Sequence, residues 1–293
     1  MLLSIGIIGQ GFVGGALRAY FDRDAYGGDR FRLHTYDKVK GGSLDDVVAK
    51  SDIIFVCVPT PMRDSGECYT GIVEEVLTDI VNVSQKIGRP RDSFVVCIKS
   101  TVPPGFTDRM GSICNLRLTF SPEFLTEKNS IRDMIDGNRV VVGGSLDDAN
   151  QVLSLFYFQD MQRVKDGELI LVRVEPKVAE MVKLFTNGLL FTKVMFCNEI
   201  YQMCRAMGIP YEEVRAVGCL DPRVGASHTQ VPGPDGHLGA GGHCFPKDMN
   251  SLAFEATRLE TGERMFSAVL DRNDELRQEK DWQDMKDRAV TDR

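Results

Sequence analysis

The stretch LSIGIIGQGFVGGALRAYF, residues 3–21, decides the fold. Leu3–Ile8 is a short apolar run of strand type, and Gly9, Gly11 and Gly14 follow at once in G-x-G-x-x-G spacing. A helical pattern then runs from Val13 to Tyr20. The glycine spacing alone is a weak signal, but strand, glycine turn and helix in that order are the context a dinucleotide fingerprint requires. The first glycine permits the tight turn, the second lets a pyrophosphate approach the backbone, and the third lets helix pack on strand. A second strand, Phe31–Tyr36, ends in Asp37. A carboxylate at that place accepts hydrogen bonds from a ribose 2'-hydroxyl and repels a 2'-phosphate, which favours NAD over NADP. Taken alone, Asp37 also reads as a solvated turn residue.

Further strands are expected at 52–58, 94–99, 116–120 and 139–142, separated by helical stretches such as 72–87. Alternation of this kind implies a doubly wound parallel sheet of Rossmann type, with ligands at the carboxyl ends of the strands. VPTP (58–61) and KSTVPPG (99–105) leave two of those ends directly, so Thr60, Ser100 and Thr101 are candidates to line the crevice. Pro and Thr also shape turns without further purpose. SPEFLTE (121–127) places Glu123 and Glu127 four apart, where a helical turn gives them one face; an exposed acidic pair is the other reading.

The second half reads as a helical domain built on one long helix from Pro176 to Met207, stopped by Gly208 and Pro210. It is apolar on more than one side, which points to packing against its own domain and against a second surface, a homodimer interface. Lys183 and Asn187 lie on one stripe of it. A Gly/Pro-rich stretch, 220–243, runs into GGHCFPKD (241–248). A loop that long is functional or disordered, and we read it as a segment covering substrate. Cys244 then stands at a helix entrance, with Pro246 in the first turn. The macrodipole and N–H groups there favour thiolate over thiol, although an isolated cysteine is commonly just a small apolar residue. Helices are expected at 246–260 and 265–280, then a mobile charged tail. The domain boundaries are 1–174, 175–281 and 282–293.

Composition bounds the function. A chain of 293 residues with 43% hydrophobic and 26% charged residues is ordinary for a globular enzyme, and a net charge of -7 gives no footprint for nucleic acid. No leader or membrane-spanning run is read. The eight cysteines are scattered without C-x-x-C pairs, so reduced thiols in a cytoplasm are expected, with no zinc site or disulfide framework. His228, His237 and His243 lack the periodicity of a ligand set, and no metal is expected.

The ordered set GQGFVG, VPTP, STVPPG, SPEFLTE, KLFTN, NE and GGHCFPKD resembles the UDP-glucose/GDP-mannose dehydrogenase family from residue 1 to about residue 275. The resemblance implies oxidation of a sugar-nucleotide alcohol to a carboxylate with NAD, through one cysteine. Cys244 matches the nucleophile, Glu123 the general acid/base, Lys183 and Asn187 the pair that holds the oxyanion, and Asp248 with Thr101 the residues that orient water. The implied cofactor contacts are Gly9, Gly11, Phe12, Val13, Gly14, Asp37, Pro59, Thr60, Pro61, Ser100, Thr101, Glu127 and Lys247. The implied substrate contacts are Glu123, Phe124, Leu125, Lys183, Asn187, Arg223, Gly239 and Gly241, with Arg223 reaching a neighbouring subunit's sugar nucleotide. The family continues into a third, C-terminal domain that grips the nucleotide, and it is not found in these 293 residues. Two alternatives stay open: a catalytically silent NAD-binding or partner-binding module, and a hydroxyacid dehydrogenase that leaves Cys244 idle.

Overall fold

The computed structural model describes residues 3–23 and 30–293; the side chain of Glu127 is also outside the described set. The chain divides into two compact units, one of residues 1–60 with 70–183, the other of 61–69 with 184–293.

The first unit holds an eight-stranded sheet. Its strands are β1 (Leu3–Ile8), β2 (Phe31–Asp37), β3 (Gly41–Gly42), β4 (Ile53–Val56), β5 (Val95–Ile98), β6 (Arg117–Phe120), β7 (Arg139–Gly143) and β8 (Ile170–Val174), in the spatial order 3-2-1-4-5-6-7-8. Most neighbours are parallel, while β3 on β2 and β7 on β6 are antiparallel. The expected doubly wound parallel sheet is present, with these two antiparallel pairs added to it. Segment 121–138 leaves β6 at its carboxyl end and enters β7 from that same end, without a crossover. β3 and β8 are strands that the alternation did not predict.

Period-two alternation sends successive side chains to opposite faces. Ile54, Val56, Val96 and Ile98 join Val73, Leu77, Phe106 and Ala179 in one core. Ile53, Phe55, Val95 and Cys97 join Leu17, Phe21, Val152 and Phe156 in the other. Helices thus cover both faces, and the strand order reverses between β1 and β4, where doubly wound sheets open a ligand crevice. The first turns of the helix Pro176–Met207 belong with this unit, since Ala179 and Glu180 are fully buried there.

The second unit packs Phe191, Met195, Ala240 and Met249 against Leu252, Phe266 and Leu270. Its helices are the remainder of the long helix, Tyr211–Gly218, Cys244–Arg258 and Arg264–Leu276. The segment after residue 281, expected as a mobile tail, is packed instead. Trp282, Ala289 and Thr291 are buried, and the Met62 N–H donates to Ala289 O at 2.8 Å while the Thr291 N–H donates to Met62 O at 2.9 Å. Three buried side chains spaced among charges left no apolar run to read. Among the described residues, no helix is long and apolar enough to cross a membrane.

Candidate active site

Each unit carries its own group of candidate residues. In the first unit the glycine turn has the geometry its spacing demands. Gly9 adopts φ +88°, and a Cβ there would lie 2.5 Å from Cys57 O. A Cβ on Gly14 would lie 1.8 Å from Gly9 O, so only glycine lets helix Phe12–Asp22 start so close to β1. A Cβ on Gly11 meets nothing within 4 Å, and Gly11 caps the helix without a side-chain bond. That is an open approach to a helix N-terminus with no acidic residue in its first turn, and it suits a dinucleotide pyrophosphate.

Asp37 closes the rim of this turn. Its Oδ2 accepts the Gln10 N–H at 2.7 Å, and its Oδ1 accepts the Val39 and Lys40 N–H groups at 2.9 Å each. Burial works against its charge, but those three donors and the Lys40 ammonium hold its carboxyl below the usual carboxylate range. Asp37 is thus fixed by backbone donors and is not a loosely solvated turn residue.

At the end of β4, Pro59 is exposed and Thr60 buried. Past β5, the Ser100 hydroxyl donates to Val58 O at 2.7 Å, tying the loop to β4, and Thr101 beside it is half-buried. Segment 121–126 is irregular, and Glu127 opens a short 3₁₀ turn, so the two glutamates do not share a helical face. The Glu127 side chain, expected at the cofactor, lies outside the described residues.

Glu123 is the acid that the fold buries with a partner. Lys183 Nζ donates to Glu123 Oε1 at 2.6 Å and to Glu123 O at 2.8 Å, and Glu123 Oε2 accepts the Leu125 N–H at 2.8 Å. Both side chains are at most 5% exposed. Glu123, Phe124 and Leu125 line a cavity of about 410 Å³. Arg139 lies 4.0 Å above the Phe124 ring.

Two residues here were missed at the sequence level. Lys99, buried at the end of β5, donates to Ser121 Oγ at 3.2 Å and Pro122 O at 3.0 Å, and so holds the segment that carries Glu123. Burial pushes its ammonium below the usual lysine range. Glu180, one turn before Lys183, accepts the Gly105 N–H at 2.5 Å and the Thr107 N–H and Oγ1–H at 2.8 and 2.6 Å. It thereby caps helix Phe106–Cys114, whose own N-cap Gly105 has no side chain to offer. The available signal was a charge inside an apolar pattern: Lys99 closing FVVCIK, Glu180 following Ala179.

In the second unit Cys244 is the first residue of helix Cys244–Arg258, half-buried, with His243 at the N-cap position. One turn on, Asp248 is fully buried. Its Oδ1 accepts from Lys247 Nζ at 2.6 Å and its Oδ2 from Asn187 Nδ2 at 2.6 Å. Burial opposes the Lys247 charge, yet Asp248 beside it outweighs that and raises its pKa above the lysine range. Lys247, expected at the cofactor, is engaged in this pair. Arg223 stands on the surface, bonded to Asp221 through Nη2 at 2.6 Å. Among the described residues, no three His, Cys, Asp or Glu side chains are grouped to hold a metal.

Models of two consecutive domains match this chain: the NAD binding domain of the UDP-glucose/GDP-mannose dehydrogenase family over residues 37–160, and the central domain of that family over 177–275. The chain belongs to the UDP-glucose/GDP-mannose dehydrogenase family. Within this family, a UDP-glucose 6-dehydrogenase of Streptococcus pneumoniae is 31% identical over 238 residues, covering 79% of this chain and 57% of its own length. One from Haloferax volcanii is 29% identical over 265 residues, covering 86% of this chain and 57% of its own. The chain therefore spans little more than half the length of these dehydrogenases. A UDP-glucose dehydrogenase structure from Pyrobaculum islandicum shares the fold, with a TM-score of 0.80 at 23% identity over 94% of this chain and 68% of that one.

Proposed function

We propose that this member of the UDP-glucose/GDP-mannose dehydrogenase family is an NAD-dependent sugar-nucleotide dehydrogenase. In this reading it oxidises the C6 alcohol of a hexose, foremost that of UDP-glucose, to a carboxylate. The observations that carry the reading lie one in each unit: Lys183 is bonded to Glu123 in the first, and Asn187 to Asp248 of the cysteine helix in the second. The reading requires both pairs to act on one substrate.

The glycine turn and Asp37 would hold NAD+, which when bound would accept the hydride of each of two oxidations. Glu123 takes the proton of the alcohol as the C6 hydride leaves, giving the aldehyde. Cys244 Sγ then adds to the aldehyde carbon, and Lys183 and Asn187 hold the oxygen that gains charge. Loss of the second hydride leaves a thioester on Cys244. Water oriented by Asp248 and Thr101 adds to its carbonyl, expelling the thiolate and releasing the carboxylate. Arg223 is assigned to a neighbouring subunit's sugar nucleotide.

The test is cofactor reduction by the purified protein. UDP-glucose is expected to yield about two NADH per sugar oxidised. No NADH with UDP-glucose, GDP-mannose or UDP-N-acetylmannosamine overturns the reading, and NAD bound without turnover identifies a silent module instead. Asp37→Asn keeps an acceptor for Gln10 while removing the charge, and is expected to raise kcat/KM for NADP+ relative to NAD+ by about ten-fold. An unchanged ratio would remove Asp37 from cofactor choice.

A homodimer through the long helix is part of the same proposal. Phe185, Leu189, Phe196, Met203 and Met207 form a stripe on it and are each 57–67% exposed. Apolar side chains so exposed at helical spacing ask for a partner. Phe185→Glu is expected to convert a dimer into a monomer in light scattering after size exclusion. A wild-type monomer at micromolar concentration excludes the dimer. We also place the protein in the cytoplasm, where its scattered cysteines stay reduced.

A further inference from the structure

The backbone that leads into Cys244 has no regular structure, yet side chains hold it residue by residue. The Gly239 N–H donates to Asn198 Oδ1 at 3.0 Å. Asn273 makes a reciprocal pair with the next residue: its Oδ1 accepts the Ala240 N–H at 2.7 Å, and its Nδ2 donates to Ala240 O at 3.1 Å. The Gly242 N–H donates to the Asp281 carboxylate at 3.0 and 3.3 Å. Between these contacts Gly241 lies flat against the Arg277 guanidinium, where a Cβ would stand 2.1 Å from Cζ and Nη2.

Arg277 is itself only 3% exposed and is fixed from three sides. Its Nη2 donates to Asp235 Oδ2 at 2.8 Å and to Asp281 Oδ1 at 3.2 Å, and its Nε donates to Glu279 O at 2.9 Å. Its Nη1 is one of two buried side-chain atoms, with Ser51 Oγ, that have no hydrogen-bond partner among the described residues. A buried charged donor left without an acceptor is costly. That cost is accepted beside a loop whose every residue from 239 to 242 is held or shaped by a side chain.

We propose that Asn273 and Arg277 are positioning residues for Cys244: they fix segment 239–242 so that the sulfur is held at the first turn of helix Cys244–Arg258. The local consequence needs no substrate. A sulfur held at that turn sits in the field of the helix N-terminus, which favours its thiolate. Freed glycines let the turn fray and withdraw that field. The kinetic consequence alone rests on the reading of Cys244 as nucleophile.

The experiment is alkylation by iodoacetamide of the full chain, followed cysteine by cysteine with peptide mass spectrometry across a pH series. Cys197 and Cys219, half-buried in the same unit, serve as internal references. In Arg277→Met the Cys244 rate at neutral pH is expected to fall about five-fold relative to both references, with its pH midpoint moved upward. Asn273→Ser removes the two bonds to Ala240 and carries the same test should Arg277→Met fail to fold. A Cys244 rate and midpoint unchanged in the folded variants overturns the proposal. So does a common change at all three cysteines, which reports general loosening. Because nothing turns over in this assay, its outcome is independent of whether the protein oxidises a sugar nucleotide.

Discussion

Replacing Cys244 with serine is expected to lower steady-state NADH formation from a sugar nucleotide by about a thousand-fold or more. A serine hydroxyl at a helix N-terminus stays protonated at neutral pH, whereas a thiol there ionises within reach of it. In the proposed route the first oxidation uses no sulfur, so about one NADH per site is expected to survive in a single turnover while the acid does not form. Stopped-flow absorbance and product chromatography separate the two stages. The substitution is nearly isosteric at a half-buried position, so the thermal midpoint is expected to move little. Acid formation within ten-fold of the wild type would falsify the thioester route and favour an enzyme in which the cysteine is idle.

Much of the fold is legible because backbone chemistry writes it. The long helix has the bounds expected for it, since a proline suits a first turn and Gly208 with Pro210 cannot continue a helix. β1 also has its expected bounds. β3 consists of Gly41 and Gly42, which carry no side chains to alternate, and β7 turned antiparallel through a connection that no local pattern encodes. The candidate site divides along the same line. Glycine spacing predicted the turn at Gly9, Gly11 and Gly14, because φ and steric clearance are properties of a residue and its close neighbours. Contacts between residues distant in the chain were not legible as contacts. Glu123 and Lys183 were assigned chemical roles without being assigned to each other, and Lys99 and Glu180 drew no notice. Each of the latter is a charge placed where the pattern is apolar, and its meaning depends on which loop the fold brings to it: Pro122 for Lys99, Gly105 and Thr107 for Glu180.

The pair Lys183–Glu123 carries the second large effect, and it concerns stability as well as turnover. Both side chains are nearly excluded from solvent, and the lysine bonds the glutamate through both its carboxylate and its carbonyl. Removing water from two charges costs free energy that only the partner and its hydrogen bonds offset. Lys183→Met removes the cation and leaves the carboxylate with the Leu125 N–H, so it is expected to destabilise the protein by about 3–5 kcal/mol in urea unfolding. Glu123→Gln in the same background keeps an acceptor for Leu125 while removing the stranded charge. The double variant is therefore expected to recover about 2 kcal/mol of that loss. Activity does not follow the recovery. The amide cannot take the proton of an alcohol, and the thioether cannot hold a developing oxyanion, so kcat is expected to stay about a hundred-fold or more below wild type in both. Stability that returns while kcat does not separates the structural role of the pair from its chemical one. If the two substitutions instead add, the buried charges are independent of each other, and the site assembled around them is not the one described.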